Sequence, residues 1–347
     1  MNYSNRRKTF CVKDNAVIMG IESSCDETAV SIVKNGREIL SDVIISSATE
    51  HVKFGGVVPE IASRAHTLAI YEATARALKD ADMTLKDIDG IAVTYGAGLL
   101  GALLVGVSFA KALAFAENKP LIPVSHIRGH MAAAYLADKN LEPPFIALLT
   151  SGGHTAIIAV RDYYETEVLG STLDDAVGEA FDKVAKVLRL EYPGGPNIEK
   201  LAKLGQNNIK LPQMLKGSGG FDFSYSGLKT AVINAVHNAE AKNKPLKPED
   251  VACSFQSAAI DILVKKVVLA AEKTGIKTIA LCGGVAANGY LRDKIKTVCD
   301  KKGIKTVIPE KRYCTDNGSM IAAEGYLQYK KLNFADLTLN AEANVPL

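Results

Sequence analysis

Three observations predict an α/β protein of two lobes: the length, the alternation of short apolar runs with longer helical patterns, and a strand, turn, strand, strand, helix order that occurs twice. At 347 residues the chain exceeds what one hydrophobic core usually organises, and its 48% hydrophobic content fills two. In the first copy, residues 16–21 form a short apolar run, 22–28 a polar turn, and 29–33 a second apolar run that ends at Asn35-Gly36, a pair suited to a tight hairpin. A third strand follows over 38–45. Pro59 opens a helix that runs to Asp80 with Ile61, Ala65, Leu68, Ala69 and Ala73 along one face. Next come a strand at 91–95, a glycine-rich turn, an apolar helix from Gly101, a strand at 121–124 and a helix over 126–138.

Residues 139–144 have linker chemistry and end in Pro143-Pro144, which cannot continue a helix. Then the plan repeats: strand 145–150, tight turn Ser151-Gly152-Gly153, strands 154–160 and 165–170, and helix 175–188. The match is in pattern and not in letters, and two copies of one unit facing each other across a cleft is its economical reading. An irregular stretch over 194–220 precedes helices at 226–238 and 248–274. A strand at 278–282 runs into Gly283-Gly284 and a helix over 289–301, and a strand at 306–309 leads through Asp316 into a helix ending near Lys331. The expected division is an extension over 1–15, a first lobe over 16–140, a second over 141–325, and a helix end and tail over 326–347 that returns to the first lobe.

Charged residues make up 23% and the net charge is +3, which argues against a disordered chain and against a strongly basic nucleic-acid module. RNA contact would have to come from local clusters such as Lys294, Lys296, Lys301, Lys302 and Lys305, or Lys311 with Arg312, although such clusters are more often solvated faces. Six cysteines without a CxxC pair fit a reducing compartment, so a cytosolic protein is expected. Arg6, Arg7 and Lys8 are followed by no apolar stretch of signal-peptide length. The longest apolar segment, 99–115, is broken by glycines, Ser108 and Lys111 and reads as a buried helix.

His126 and His130 lie four apart at a strand-to-helix junction, so both imidazoles share one helical face and can share a metal; alone, that spacing is more often a polar face. The zinc-protease helix HExxH needs a glutamate base, and Ile127, Arg128 and Gly129 provide none. Asp316 is the candidate third ligand, and position alone favours the other reading, a cap on the helix that follows. Two histidines and a carboxylate leave open coordination positions, as Fe(II) or catalytic Zn requires.

Glycine turns after strands, at Gly152-Gly153, Gly194-Gly195 and Gly283-Gly284, let backbone amides approach an anion, and with residues 22–28 they would line a nucleotide cleft. Neither a GxxxxGK[ST] loop nor a strand-linked GxGxxG is present. In residues 174–183, Asp174 and Asp175 are explained by the helix dipole; Asp182, two turns in, is the better candidate for a ligand hydroxyl or amine.

Taken together, the ordered segments 20–28, 55–64, 126–130, 151–155, 174–186, 192–196, 223–229, 283–288 and 314–318 resemble the bacterial tRNA N6-adenosine threonylcarbamoyltransferase (TsaD) family, earlier described as O-sialoglycoprotein endopeptidases. The resemblance implies the fold of the actin, Hsp70 and sugar-kinase superfamily, and one divalent metal, Fe(II) with Zn the alternative, on His126, His130 and Asp316. It implies that Leu149, Thr150, Ser151, Gly152, Gly153, Asp182, Gly195, Glu199 and Asn288 contact a threonylcarbamoyl-AMP donor, whose acyl group passes to N6 of adenosine 37 in tRNAs reading codons that begin with A. It also implies a smaller TsaB-like paralogous subunit and a TsaE-like accessory ATPase as partners, and no membrane. Ala97 stands where the family usually has proline, and the fifteen-residue start is longer than usual. No side chain is singled out to accept the amine proton. A sugar-kinase-like phosphotransferase and an actin-like scaffold are the rival readings; a magnesium-nucleotide site built of carboxylates has no need of the histidine pair.

Overall fold

A computed structural model of the chain describes residues 3–212, 214–215 and 220–346. Met1 and Asn2 of the extension, Gln213 and residues 216–219 of the irregular stretch, and Leu347 of the tail lie outside the described residues. The chain begins with a short helix α1 (Tyr3–Arg6) and continues through β1 (Val17–Glu22), β2 (Glu27–Lys34), β3 (Glu38–Ser46), α2 (Ala48–His51), α3 (Pro59–Asp80), β4 (Gly90–Gly96), α4 (Leu100–Ala116), β5 (Leu121–Ser125) and α5 (His126–Ala137). It goes on through β6 (Phe145–Thr150), β7 (Thr155–Val160), β8 (Thr166–Ser171), α6 (Val177–Val187), α7 (Gly194–Ala202), α8 (Ser226–Ala241), α9 (Pro248–Thr274), β9 (Thr278–Cys282), α10 (Gly289–Lys302), β10 (Lys305–Val307) and α11 (Gly318–Lys330). None of these helices is long and apolar enough to cross a membrane.

Two compact units result, Met1–Leu141 with Thr315–Leu347, and Glu142–Cys314. The return to the first unit thus falls at Thr315 rather than at 326, because Met320, Ile321, Ala322 and Tyr329 of α11 are buried with Ile18, Ala92 and Ile122 of the first sheet. The first unit holds a five-stranded sheet in the order β3-β2-β1-β4-β5, the second one in the order β10-β9-β6-β7-β8. In each, the first three strands in sequence are an antiparallel meander, the fourth joins the first in parallel and the fifth joins the fourth in parallel. The repeated pattern is therefore one topology used twice. Asn35 and Gly36 turn the β2–β3 hairpin with φ of 55° and 65°, the left-handed pair that such a turn demands.

In the first unit the alternation of strand side chains divides the core between two faces. Met19, Ile21, Val30, Ile91 and Val93 pack with Ile70 of α3 and Leu103 and Val107 of α4. Ile18, Val33, Ala92, Ile122 and Val124 pack with Ala133 of α5 and Met320, Ile321 and Ala322 of α11. Within the extension the buried Tyr3 donates its hydroxyl to Lys119 O at 2.6 Å and accepts from Leu121 N at 3.0 Å, and Ala335 N donates to Leu121 O at 2.9 Å. Both contacts cover the outer edge of β5, which would otherwise present unpaired amides and carbonyls.

In the core of the second unit, Ile146, Leu148, Ile157, Ile279 and Leu281 of the sheet meet Phe181 and Val184 of α6, Ile198 of α7 and Phe255, Leu263 and Val267 of α9. The reading of 194–220 as irregular does not hold for its start, since α7 occupies Gly194–Ala202. Glycines at 194 and 195 and Pro196 resemble a turn, yet proline is well suited to a helix's first turn, where its missing N–H costs nothing.

Candidate metal centre and glycine-turn site

In the first unit β5 ends at Ser125 and α5 begins at His126, so the first imidazole stands at the mouth of a helix and the second one turn on. Two contacts fix α5 against α11. Gly129 allows the approach, because a Cβ there would lie 2.7 Å from Ile321 Cδ1. Arg128 Nε donates to Glu324 Oε1 at 2.8 Å, and Glu324 is buried. The cap of α11 is Asn317, whose side chain accepts from Met320 N at 2.8 Å. Asp316 is therefore released from the capping role that its position alone favours, and its carboxylate faces the histidines.

The rings of His126 and His130 are 4.6 Å apart between centroids and inclined at 79°. Their Nε2 atoms lie 3.5 and 3.2 Å from the same oxygen, Asp316 Oδ1. One ligand atom from each of the three residues falls within 4.8 Å of the others, a donor set that fits a divalent ion with positions left for substrate or water. Behind His126 stands Glu22, fully buried at the end of β1, with Oε2 3.2 Å from Nδ1. Ser24 Oγ lies 3.1 Å from the same nitrogen. Burial opposes charge on His126, but Asp316 and Glu22 outweigh it and lift its pKa to about 9. Burial likewise resists ionisation of Asp316, and His126 and His130 outweigh that, holding the carboxyl at about 2. His130 Nδ1 is buried and has no hydrogen-bond partner among the described residues.

In the second unit, the turn Ser151-Gly152-Gly153 closes β6 onto β7, with His154 N donating to Ser151 Oγ at 3.0 Å. Leu149 pairs with Cys282 across the parallel strands, so Gly283 follows directly beside Thr150. The N-terminus of α6 abuts the same turn: Gly178 N donates to Ser151 O at 3.2 Å, and a Cβ at Gly178 would lie 2.6 Å from that oxygen. Gly178 is a requirement that motif reading does not reveal, since it is a packing contact between two segments. At Gly152, Gly153, Gly195 and Gly284 an added Cβ would meet nothing within 4 Å, so the backbone is open on that side at these four positions.

The other expected donor contacts have protein partners. Leu149 and Thr150 are buried, and Thr150 Oγ1 donates to Cys282 O at 3.3 Å. Asp182 Oδ1 accepts from Gly194 N at 2.8 Å, which ties α6 to the start of α7; burial raises its pKa. Asn288 caps α10 by accepting from Leu291 N at 3.1 Å and donates to Gln256 Oε1 at 2.9 Å. Glu199 pairs with Lys203 at 3.1 Å and approaches the start of α10. These residues thus gather the N-termini of α6, α7 and α10 in one unit. Of the lysine clusters, Lys294 pairs with Asp261 and Lys302 with Glu272, and Arg312 lies 3.3 Å from Glu310, so part of that positive charge is met internally. The Gly96–Ala97 peptide is cis.

Solved structures of similar shape include full-length HypF in its phosphate- and nucleotide-bound form, with a TM-score of 0.61 at 14% identity over 94% of this chain and 48% of that one. Component A of the Acidaminococcus fermentans (R)-2-hydroxyglutaryl-CoA dehydratase has a TM-score of 0.54 at 15% identity, covering 91% of this chain and 99% of that one. These likenesses speak for the two-unit α/β fold alone. In sequence, the chain is 48% identical over 335 residues to the tRNA N6-adenosine threonylcarbamoyltransferase of Clostridium beijerinckii, covering 96% of this chain and 99% of that protein. It is 47% identical over 331 residues to that of Staphylococcus aureus, covering 95% and 97%. The family model of TsaD, tRNA N6-adenosine threonylcarbamoyltransferase, matches residues 38–323. With sequence agreement spanning both units, the chain belongs to the tRNA N6-adenosine threonylcarbamoyltransferase family.

Proposed function

We propose that this transferase moves the threonylcarbamoyl group from threonylcarbamoyl-AMP to N6 of adenosine 37 in tRNAs that read codons beginning with A, forming N6-threonylcarbamoyladenosine and releasing AMP. The observation that carries the reading is the convergence of His126, His130 and Asp316 on one point in a chain of this family. The N6 nitrogen attacks the carbamoyl carbon of the mixed anhydride, a C–N bond forms, the C–O bond to the phosphate breaks, and the amine gives up one proton. Its lone pair is delocalised into the purine, so positioning and activation of the electrophile dominate the barrier. A divalent ion on His126, His130 and Asp316, Fe(II) with Zn the alternative, supplies Lewis-acid chemistry when bound.

The remaining chemistry belongs to the chain. Gly152 and Gly153 offer backbone amides to the donor's phosphate, backed by the N-termini of α6 and α7, while Ser151 N donates to His154 O at 2.8 Å and Gly195 N to Asp182, so that these two residues shape the site around the ligand. Leu149 and Thr150, with buried side chains, contribute through the main chain, while Asp182, Glu199 and Asn288 shape the turns the donor meets. The base is taken up unstacked from the anticodon loop, as single-stranded RNA recognition requires. A TsaB-like paralogous subunit, a TsaE-like ATPase and a cytoplasmic setting complete the proposal.

The test combines the chain with those partners, metal, threonylcarbamoyl-AMP and unmodified tRNA, and analyses the digested RNA by mass spectrometry. Modified nucleoside is expected, and its loss with His126→Ala, His130→Ala or Asp316→Ala in folded protein. Full activity in all three variants would remove the metal site from the reaction.

A further inference from the structure

We propose that Glu22 is a positioning residue that sets the imidazole of His126 for metal binding by holding a proton on its Nδ1. The inference rests on the reading of His126, His130 and Asp316 as metal ligands. Glu22 ends β1 and is fully buried, so it cannot touch substrate and acts only through what surrounds it. Its Oε1 accepts from Ser24 N at 2.5 Å, and its Oε2 accepts from Thr94 Oγ1 at 2.5 Å and lies 3.2 Å from His126 Nδ1.

The chemistry of the contact decides the tautomer. An ionised carboxylate only accepts hydrogen bonds, so a lone pair on Nδ1 facing Oε2 is repelled and an N–H there is attracted. Asp316 faces the other nitrogen, Nε2, and a cation bound between them takes the place of the proton there; the proton that remains on the neutral ring is then the one on Nδ1, and the lone pair sits on Nε2. This arrangement is general for metal-bound histidines, where the outer carboxylate fixes the ring and raises its basicity. The contrast with His130 sharpens the assignment, because its Nδ1 is buried without a hydrogen-bond partner among the described residues. One of the two imidazoles is thus oriented from behind, and the carboxylate that orients it comes from the segment 20–28 rather than from either histidine's own helix. His126 Nδ1 has two neighbours, Ser24 Oγ at 3.1 Å and Glu22 Oε2 at 3.2 Å; the hydroxyl can donate or accept, whereas the carboxylate oxygen can only accept and so favours the proton on Nδ1.

The experiment uses Co(II) as a spectroscopic probe on the full chain. Glu22→Gln preserves size but brings an amide that can donate to Nδ1 and favour the wrong tautomer. Co(II) affinity is expected to fall by about 10–100-fold, the usual effect of removing such an outer partner. In the Zn(II)-loaded wild type, 1H–15N NMR should show a downfield, exchange-protected proton on His126 Nδ1 that shifts upfield in the variant. A merely structural role would leave that proton unmoved. Wild-type Co(II) affinity in folded Glu22→Gln, while His130→Ala loses binding, would overturn the inference and leave the metal reading intact. Failure of the wild type to bind Co(II), or normal binding by His130→Ala, would overturn both. If Glu22→Gln does not fold, Thr94→Val takes its place with a smaller loss expected, and an Nδ1 that carries no proton in the Zn(II)-loaded wild type decides against the inference.

Discussion

Arg128→Met tests whether the pairing of α5 with α11 holds the three candidate ligands in register. Arg128 and Glu324 are 2.8 Å apart, with side-chain exposures of 26% and 4%. Removing one partner of a buried pair costs ~3–5 kcal/mol, mostly from the charge left behind. Glu324 keeps one donor, Gln328 Nε2 at 2.6 Å, and Arg128 is partly solvated, so the loss here falls to about 2–3 kcal/mol. Methionine retains the packing of the arginine stem. At roughly 2–4 °C per kcal/mol for a unit of this size, the melting temperature of the first unit should drop by roughly 4–12 °C in calorimetry. Co(II) affinity should drop with it, because His126 and His130 ride on α5 while Asp316 leads into α11. Arg128→Met combined with Glu324→Leu should recover most of the stability, since an apolar pair can replace a buried ion pair at little cost. A single variant within about 0.5 kcal/mol of wild type, the size of an ordinary surface substitution, would refute the reasoning. So would a double variant no more stable than the single.

Gly178→Ala places a Cβ 2.6 Å from Ser151 O and 2.9 Å from Gly152 Cα, so the turn must shift; donor affinity measured by calorimetric titration should fall by ~1–3 kcal/mol while the fold persists. Asn288→Ala removes the cap of α10 and leaves the buried Gln256 side chain without its partner, for a combined loss of about 2–4 kcal/mol read as a lower melting temperature. Unchanged stability with weakened donor binding would mean that Asn288 serves the ligand instead. Burial opposes ionisation of Asp174, and hydrogen bonds from Ser224, Ser226 and Tyr225 outweigh it, holding its pKa at about 2. Since that lies below the unfolded value, the stabilisation is complete above about pH 4 and is lost as pH falls toward 2. Acid unfolding of Asp174→Asn should therefore depend less steeply on pH across that window than acid unfolding of the wild type.

The sequence exposes most elements because their ends are marked chemically. Pro59 and Pro248 open α3 and α9 at the first helical turn, Gly275 closes α9 in a left-handed conformation, and Asn35-Gly36 dictates its hairpin. What stays hidden depends on partners far along the chain. The start of α7 looks like a turn until Asp182 is seen to accept from Gly194. Asp316 looks like a cap until Asn317 takes that role, and Glu22 reads as part of a phosphate-facing turn until β1 buries it behind His126. Tyr3 sits in a segment with no periodicity, and only the exposed edge of β5 explains its burial. The spacing of His126 and His130 shows a shared face, but the third ligand arrives from 186 positions further on than His130, a distance no local pattern spans.

The most direct test of the account follows the acyl group itself. Threonylcarbamoyl-AMP labelled in its threonine is mixed with the metal-loaded chain, its partner proteins and an unmodified tRNA that reads a codon beginning with A; the RNA is cleaved and mapped by mass spectrometry while AMP is quantified. Label is expected on one adenosine, position 37, with one AMP released for each group transferred. Unlabelled RNA in the complete mixture, or label on a different nucleotide, would contradict the account.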